Sequence, residues 1–285
     1  MQKRVFIIAI LFLTSWLLIA QGCMRMRTSD AKAIDEFKKT GVSFQVQTLT
    51  IGQHRLHYVC AGNDSLPTIV FIHGSPGSWD AFKQYLDDST LLKHFYMVSV
   101  DRPGFGYSEF GFAQHLDTQI SILSPLLQVL KKEKPLYLVG HSLGGPIAVK
   151  LTAANPALIN GLVLLAGSVD PSEEATESWR SILHTAPLRF FIPGAMQQSN
   201  DELLYFKKEV LEIPAALDSI TCRVIIVHGT KDPFVPYNNA LYAQKQLRHA
   251  ASVELVTLEG ANHFIPWTKF TEIKEVLLRI QTEKN

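Results

Sequence analysis

The sequence predicts an α/β fold on a doubly wound, largely parallel sheet. Three observations carry that expectation. Short apolar, β-rich runs recur along the chain at Thr68–Ile72, Tyr96–Val100, Leu136–Val139, Leu162–Ala166, Val224–Val227 and Val253–Leu258. Unbroken apolar runs of this length suit strands buried on both faces. Stretches with helical spacing lie between most of them, and such alternation of β and α builds an open sheet covered on both sides. Finally, 47% of the 285 residues are apolar and 19% are charged, ample for one large core and unlike a disordered chain. Lys and Arg number 27 against 26 Asp and Glu. There is no basic excess to hold a nucleic-acid backbone. The 3 cysteines are too few for a disulfide scaffold and lack zinc-ligand spacing.

In chain order, the N-terminus comes first. Lys3 and Arg4 precede a sixteen-residue, almost unbroken apolar run from Val5 to Ala20, followed by Gln21-Gly22-Cys23. A basic start and an apolar run of this length mark an export or anchoring segment, residues 1–22, outside the folded domain. Small residues before a cysteine resemble the bacterial lipoprotein signal, in which Cys23 is lipidated. An uncleaved membrane anchor and plain secretion are the other two readings. All three place the protein at the bacterial cell envelope or beyond it, and the first two tie it to a membrane. Residues 23–42 are polar and read as a tether with one short helix around Ala31 to Lys39.

The domain proper, residues 43–285, opens with a hairpin of Phe44 to Thr50 and His54 to Cys60 around Ile51-Gly52-Gln53. A helical stripe follows the fourth strand at Leu116, Ile120, Leu123, Leu127 and Leu130, and another closes the chain at Ile273, Val276, Leu277 and Ile280. Residues 168–221 break the rhythm. This 54-residue interval has no convincing strand and is rich in aromatic and helix-forming residues such as Trp179, Phe190, Phe191 and Phe206. It is expected to be a small helical lid. Cys60 and Cys222 lie in or beside strands, where a small buried thiol is the favoured reading over a disulfide.

In an open parallel sheet, ligands sit beyond the carboxyl ends of the strands. Leu136–Val139 runs into Gly140-His141-Ser142-Leu143-Gly144-Gly145 and then a helical stretch. A Gly-x-Ser-x-Gly between strand and helix is a sharp, strained turn that presents the serine hydroxyl. Composition alone gives roughly 0.06 chance matches in a chain this long, and the flanking strand and helix make the signal far more specific. A serine hydroxyl needs a base. His263, in Gly260-Ala261-Asn262-His263 after the last strand, stands in the right place and order. The imidazole needs a carboxylate. Asp232, in Gly229-Thr230-Lys231-Asp232 after Val224–Val227, is the first choice, and Asp170 the runner-up because it too follows a strand. The oxyanion formed on an attacked carbonyl needs placed donors. Leu143 N–H is one, and Ser75 N–H, in His73-Gly74-Ser75-Pro76-Gly77 after Thr68–Ile72, is the other.

These segments, together with Asp101-Arg102-Pro103-Gly104-Phe105-Gly106-Tyr107-Ser108, resemble the α/β-hydrolase superfamily from about Phe44 to Ile280. The resemblance implies a mostly parallel eight-stranded sheet, no cofactor and acyl-enzyme chemistry. It also implies a structural role for Asp101 and Arg102 at a strand end. Epoxide hydrolases and haloalkane dehalogenases of this superfamily carry Asp at the nucleophile position, and Ser142 argues against both. The expected activity is hydrolysis of a small or medium, apolar small-molecule ester. Carbon–carbon bond hydrolysis, perhydrolysis and ligand binding with little turnover are the alternatives.

Overall fold

The computed structural model describes residues 2–174 and 177–281. A helix, α1 (Gln2–Cys23), is followed by α2 (Asp30–Thr40) and the hairpin β1 (Phe44–Ile51) and β2 (His54–Ala61). Next come β3 (Thr68–Ile72), the short α3 (Lys83–Leu86), β4 (Tyr96–Val100), α4 (Leu116–Lys131), β5 (Leu136–His141), α5 (Gly144–Ala154) and β6 (Gly161–Leu165). The lid holds α6 (Trp179–His184), α7 (Ala195–Glu209) and α8 (Ile213–Asp218), and β7 (Arg223–Gly229), α9 (Asn238–Gln246), β8 (Ser252–Leu258), α10 (Ile265–Thr268) and α11 (Phe270–Arg279) complete the chain. Among the described residues the interval 168–221 contains no strand.

The eight strands form one sheet in the order β1-β2-β4-β3-β5-β6-β7-β8. The pairs β1–β2 and β2–β4 are antiparallel, and the rest are parallel. Side chains alternate across the central strands, as a period of two requires. Val70, Ile72, Leu138, Leu162, Leu164 and Ile226 face a core shared with α4, α5, α8 and α9. Ile69, Phe71, Val139, Val163, Leu165 and Val227 face a second core with α2, α3 and α11. The sheet therefore has no solvent face at its centre, and its chemistry is confined to its rims. Several strand boundaries differ from expectation: β5 runs on to His141, β7 extends at both ends to Arg223–Gly229, β8 begins at Ser252 and β6 at Gly161. β6 stops at Leu165, because Ala166 turns to φ 47 and leaves the extended conformation.

The segment that reads as a tether is packed on the domain through α2. Ser29 caps this helix with its side chain, and Gly41 ends it at φ 75. Ala33 and Phe37 are buried, and the Phe37 ring stacks on Phe44 at a centroid distance of 4.1 Å. Asp30, its first residue, lies 3.3 Å from His57 Nε2, whose Nδ1 is 2.8 Å from Asp101.

Most of the described apolar side chains of α1 are exposed, with Phe12 at 73% and Leu18 at 76%. Its C-terminal turn grips the lid. Gln21 Nε2 donates to the Ile192 carbonyl (2.8 Å) and the Phe190 carbonyl (3.2 Å), while Gln21 Oε1 accepts from Gly194 N–H (3.1 Å). Ala195 N–H, at the start of α7, donates to the Met24 carbonyl (2.8 Å). Cys23 ends α1, and its side chain lies outside the described residues. Among the described residues no helix is long and apolar enough to cross a membrane. Cys60 and Cys222 are unpaired thiols, and burial raises each to about 11.

Candidate functional site

Ser142 occupies the turn between β5 and α5 with φ 54, a left-handed conformation rarely adopted by residues with a side chain. Main-chain bonds hold it there. Its N–H donates to the Leu165 carbonyl (3.0 Å), and its carbonyl accepts from Gly145 N–H (2.9 Å). The flanking glycines are required by space. A Cβ on Gly140 would lie 2.3 Å from the Gly144 carbonyl oxygen, and one on Gly144 would lie 2.3 Å from the Ile72 carbonyl oxygen. Leu143 follows at the N-cap of α5, so its main-chain amide stands at the positive end of that helix.

The loop after β3 closes over this turn. Gly74 approaches so closely that a Cβ there would stand 2.9 Å from Ser142 Cβ. Ser75 follows in the chain, and its own hydroxyl is buried without a hydrogen-bond partner among the described residues. The loop is shaped by His73, fully buried, whose Nδ1 bonds the Gly74 carbonyl (2.7 Å) and whose Nε2 accepts from Arg102 N–H (3.1 Å). Those two bonds define its tautomer. Burial first, then the Arg102 charge, holds the His73 pKa well below its ordinary range, so the ring is neutral.

The loops that carry Asp232 and His263 are locked together at the ends of β7 and β8. A Cβ on Gly229 would strike the Ala261 carbonyl at 2.3 Å, and Lys231 N–H donates to that same carbonyl at 2.9 Å. His263 Nδ1 bonds Asp232 Oδ2 at 2.7 Å. The other carboxylate oxygen accepts from Phe234 N–H (2.9 Å) and Val235 N–H (2.8 Å). Burial alone would raise the Asp232 pKa. The neighbouring His228 and His263 rings and the Val235 amide outweigh burial and hold it well below the usual carboxylate range. The runner-up, Asp170, uses Oδ1 to accept from Ser172 N–H (2.9 Å) and Ser172 Oγ (2.7 Å), which shapes its own loop.

Ser142 and His263 stand on adjoining loops. His141 Nε2 donates to the His263 carbonyl at 3.1 Å, and the two imidazole centroids are 4.9 Å apart. Burial first, then the His263 ring, pushes the His141 pKa down to about 3, which keeps it neutral as a donor. Phe234 and Phe264 meet the His263 ring edge-on at 5.5 and 5.9 Å, and Trp267 adjoins Phe264 at 6.0 Å and the His141 ring at 5.4 Å. Phe234, Phe264 and Trp267 are 67%, 47% and 44% exposed, so the site opens onto an apolar wall. Among the described residues no group of three or more His, Cys, Asp or Glu is arranged to hold a metal ion.

Two further features come from the loop after β4. Asp101 is a structural anchor, accepting from Trp79 N–H (2.7 Å) and Tyr107 N–H (2.7 Å). Arg102 is fully buried and makes a two-pronged ion pair with Glu202 of α7, while Gln119 of α4 bonds both partners. Glu202 escapes sequence reasoning because no local motif marks a carboxylate 100 residues from its partner.

Comparison with known proteins adds four likenesses. Residues 69–269 match the family model described as Alpha/beta hydrolase family. A pimeloyl-[acyl-carrier protein] methyl ester esterase of Nitrosomonas europaea is 24% identical over 258 residues, covering 76% of this chain and 95% of that protein. Mouse epoxide hydrolase 4 is 30% identical over 114 residues, and the match spans 39% of this chain and only 31% of the length of that relative. The crystal structure of a membrane phospholipase A, described as a novel bacterial virulence factor, superposes with a TM-score of 0.66 at 17% identity and covers 99% of this chain and all of its own.

Proposed function

The chain belongs to the alpha/beta hydrolase family, and we propose that it is a serine hydrolase cleaving a small or medium, apolar ester through an acyl-enzyme. In this reading His263 takes the Ser142 proton as Oγ attacks the ester carbonyl. Asp232 holds the imidazole in the tautomer that leaves Nε2 free to accept, and stabilises the imidazolium. The main-chain amides of Ser75 and Leu143 receive the oxyanion. His263 then protonates the leaving alcohol and activates the water that releases the acid.

The observation that carries the reading is the 2.7 Å bond between His263 Nδ1 and Asp232 on the loop that His141 ties to the serine turn. The ester, rather than another acyl bond, is supported by the near full-length likeness to a methyl ester esterase. The exposed rings of Phe234, Phe264 and Trp267 support an apolar acyl or alcohol group. Ser142, where the epoxide-opening members of the superfamily carry Asp, argues against transfer of that activity from the partial match.

The N-terminal segment is proposed to tie the protein to the membrane at the bacterial cell envelope, with the catalytic domain outside the cytoplasm: as a lipoprotein signal removed ahead of a lipidated Cys23, or, where that cleavage does not occur, as an uncleaved helical anchor. Supporting it are the basic pair ahead of the apolar run, the exposure of that run, and the likeness of the whole chain to a membrane phospholipase A. Fluorophosphonate labelling of the purified chain, followed by p-nitrophenyl esters of increasing chain length, tests the activity. Labelling and turnover that vanish in Ser142→Ala are the expected result, and turnover that survives the substitution rejects the nucleophile. Mass spectrometry of the N-terminal peptide, made in a bacterial host, reports whether Cys23 carries lipid.

A further inference from the structure

We infer that Arg102 is a positioning residue that couples the lid to the oxyanion site by gripping the peptide bond between Gly74 and Ser75. The inference rests on the serine-hydrolase reading above, in which Ser75 N–H is an oxyanion donor.

The geometry begins with one peptide unit. The carbonyl of Gly74 and the N–H of Ser75 belong to the same planar group and point in opposite directions. Whatever fixes the carbonyl fixes the direction of the amide. Two donors fix it: His73 Nδ1 at 2.7 Å and Arg102 Nη2 at 3.0 Å. A cation bonded to the carbonyl oxygen also draws electron density along the peptide and makes the N–H at its other end a better donor.

The arginine cannot move independently of the lid. Its guanidinium is held in a fork by Glu202 of α7, with Nη2 2.9 Å from Glu202 Oε2 and Nη1 bonded to Oε1. Such planar two-bond pairs restrict orientation as well as distance. Gln119 of α4 completes the clamp, accepting from Arg102 Nη1 (3.0 Å) and donating to Glu202 (2.7 Å). The Arg102 side chain also lies over the Phe105 ring at 4.8 Å. Arg102 and Gln119 are fully buried, and Glu202 is 2% exposed. One atom, Nη2, therefore touches both the lid carboxylate and the oxyanion-loop carbonyl. Displacement of α7 leaves that atom without its anion and the peptide without its fixed cation. A docked lid thus completes the amide's placement.

The full chain is compared with Arg102→Lys, Arg102→Met and Glu202→Gln. Each is assayed with p-nitrophenyl butyrate and titrated with an aryl trifluoromethyl ketone, which adds to the serine and places a negative oxygen in the oxyanion site. For Arg102→Met the expected result is a fall in kcat of about 10- to 100-fold with KM nearly unchanged, since a donor used only in the transition state is weakened. Affinity for the ketone falls by the same factor as kcat/KM, and Arg102→Lys recovers part of both. Glu202→Gln, which keeps the shape of the pair, gives a smaller, parallel loss and carries the test where the arginine variants do not fold. A variant with native circular dichroism and melting temperature but wild-type kcat and ketone affinity overturns the coupling. A raised KM with unchanged kcat overturns it too, because only packing would then be affected. Fluorophosphonate labelling of the same samples separates the premises. Intact Ser142 labelling with unchanged ketone affinity rejects the coupling alone. A wild-type chain with no Ser142-dependent labelling or turnover rejects the active-site reading, and the coupling with it.

Discussion

His141 donates from Nε2 to the main-chain carbonyl of His263 across 3.1 Å, so the residue before the serine holds the loop that carries the imidazole. That donor is a neutral ring, because burial and the His263 ring push its pKa down to about 3. In an unfolded chain the same ring has a value of about 6.5.

The consequence is a pH-dependent stability with a definite sign. Below about 6.5 the unfolded chain binds a proton that the folded chain refuses until about 3, so stability falls as pH falls through this window. Above it the contribution is complete. His141→Gln keeps an N–H donor and cannot titrate. Its urea midpoint is expected to change less between pH 7.5 and pH 4.5 than that of the parent chain. Equal slopes in the two proteins contradict the assignment.

Asp232→Asn should leave the fold intact and lower kcat by roughly a thousand- to ten-thousand-fold, because an amide no longer enforces the required imidazole tautomer. The same substitution reports on acid stability. The folded carboxyl titrates well below its ordinary range, so the unfolded chain takes up the proton first, near about 4. Stability from this group is complete above that point and is lost progressively toward the lower folded value. Denaturation curves at pH 7 and pH 3 should therefore diverge more for the parent chain than for the variant.

Two glycines separate crowding from backbone strain. Gly144→Ala drives a Cβ to 2.3 Å from the Ile72 carbonyl oxygen, in backbone that has no slack. The expected loss is about 3 kcal/mol or more, the upper end for overpacking. Gly52→Ala, at φ 59 in the β1–β2 turn with no atom within 4 Å, bears only the left-handed penalty of ~1–2 kcal/mol. Chemical denaturation of the pair measures both. Similar losses at the two sites would mean that the serine turn is looser than its contacts imply.

Much of this architecture was readable from residue order. β3 and β4 coincide with the apolar runs at Thr68–Ile72 and Tyr96–Val100, because a strand covered on both faces needs nothing but apolar side chains between polar turns. Asp232 and His263 were legible because each follows a strand at a glycine-bearing turn, and the structure brings them to 2.7 Å. Contacts between distant segments left no such trace. The Arg102–Glu202 pair joins the loop after β4 to the lid, and nothing near either residue marks the other. Likewise Gln21 looks like an ordinary polar residue ending an apolar run, yet its amide bridges three main-chain groups of the lid. Such bonds depend on where the chain returns in space. Periodicity reports only what a segment buries.

The left-handed backbone of Ser142 sets the chain's robustness against its chemistry. Every residue with a side chain bears that conformation at a cost of ~1–2 kcal/mol, whereas glycine adopts it freely. Replacing Ser142 with glycine would thus relieve the strain, whereas removing only its hydroxyl, as in Ser142→Ala, would not. If Ser142 is the nucleophile, that loss of stability is the cost of presenting its hydroxyl.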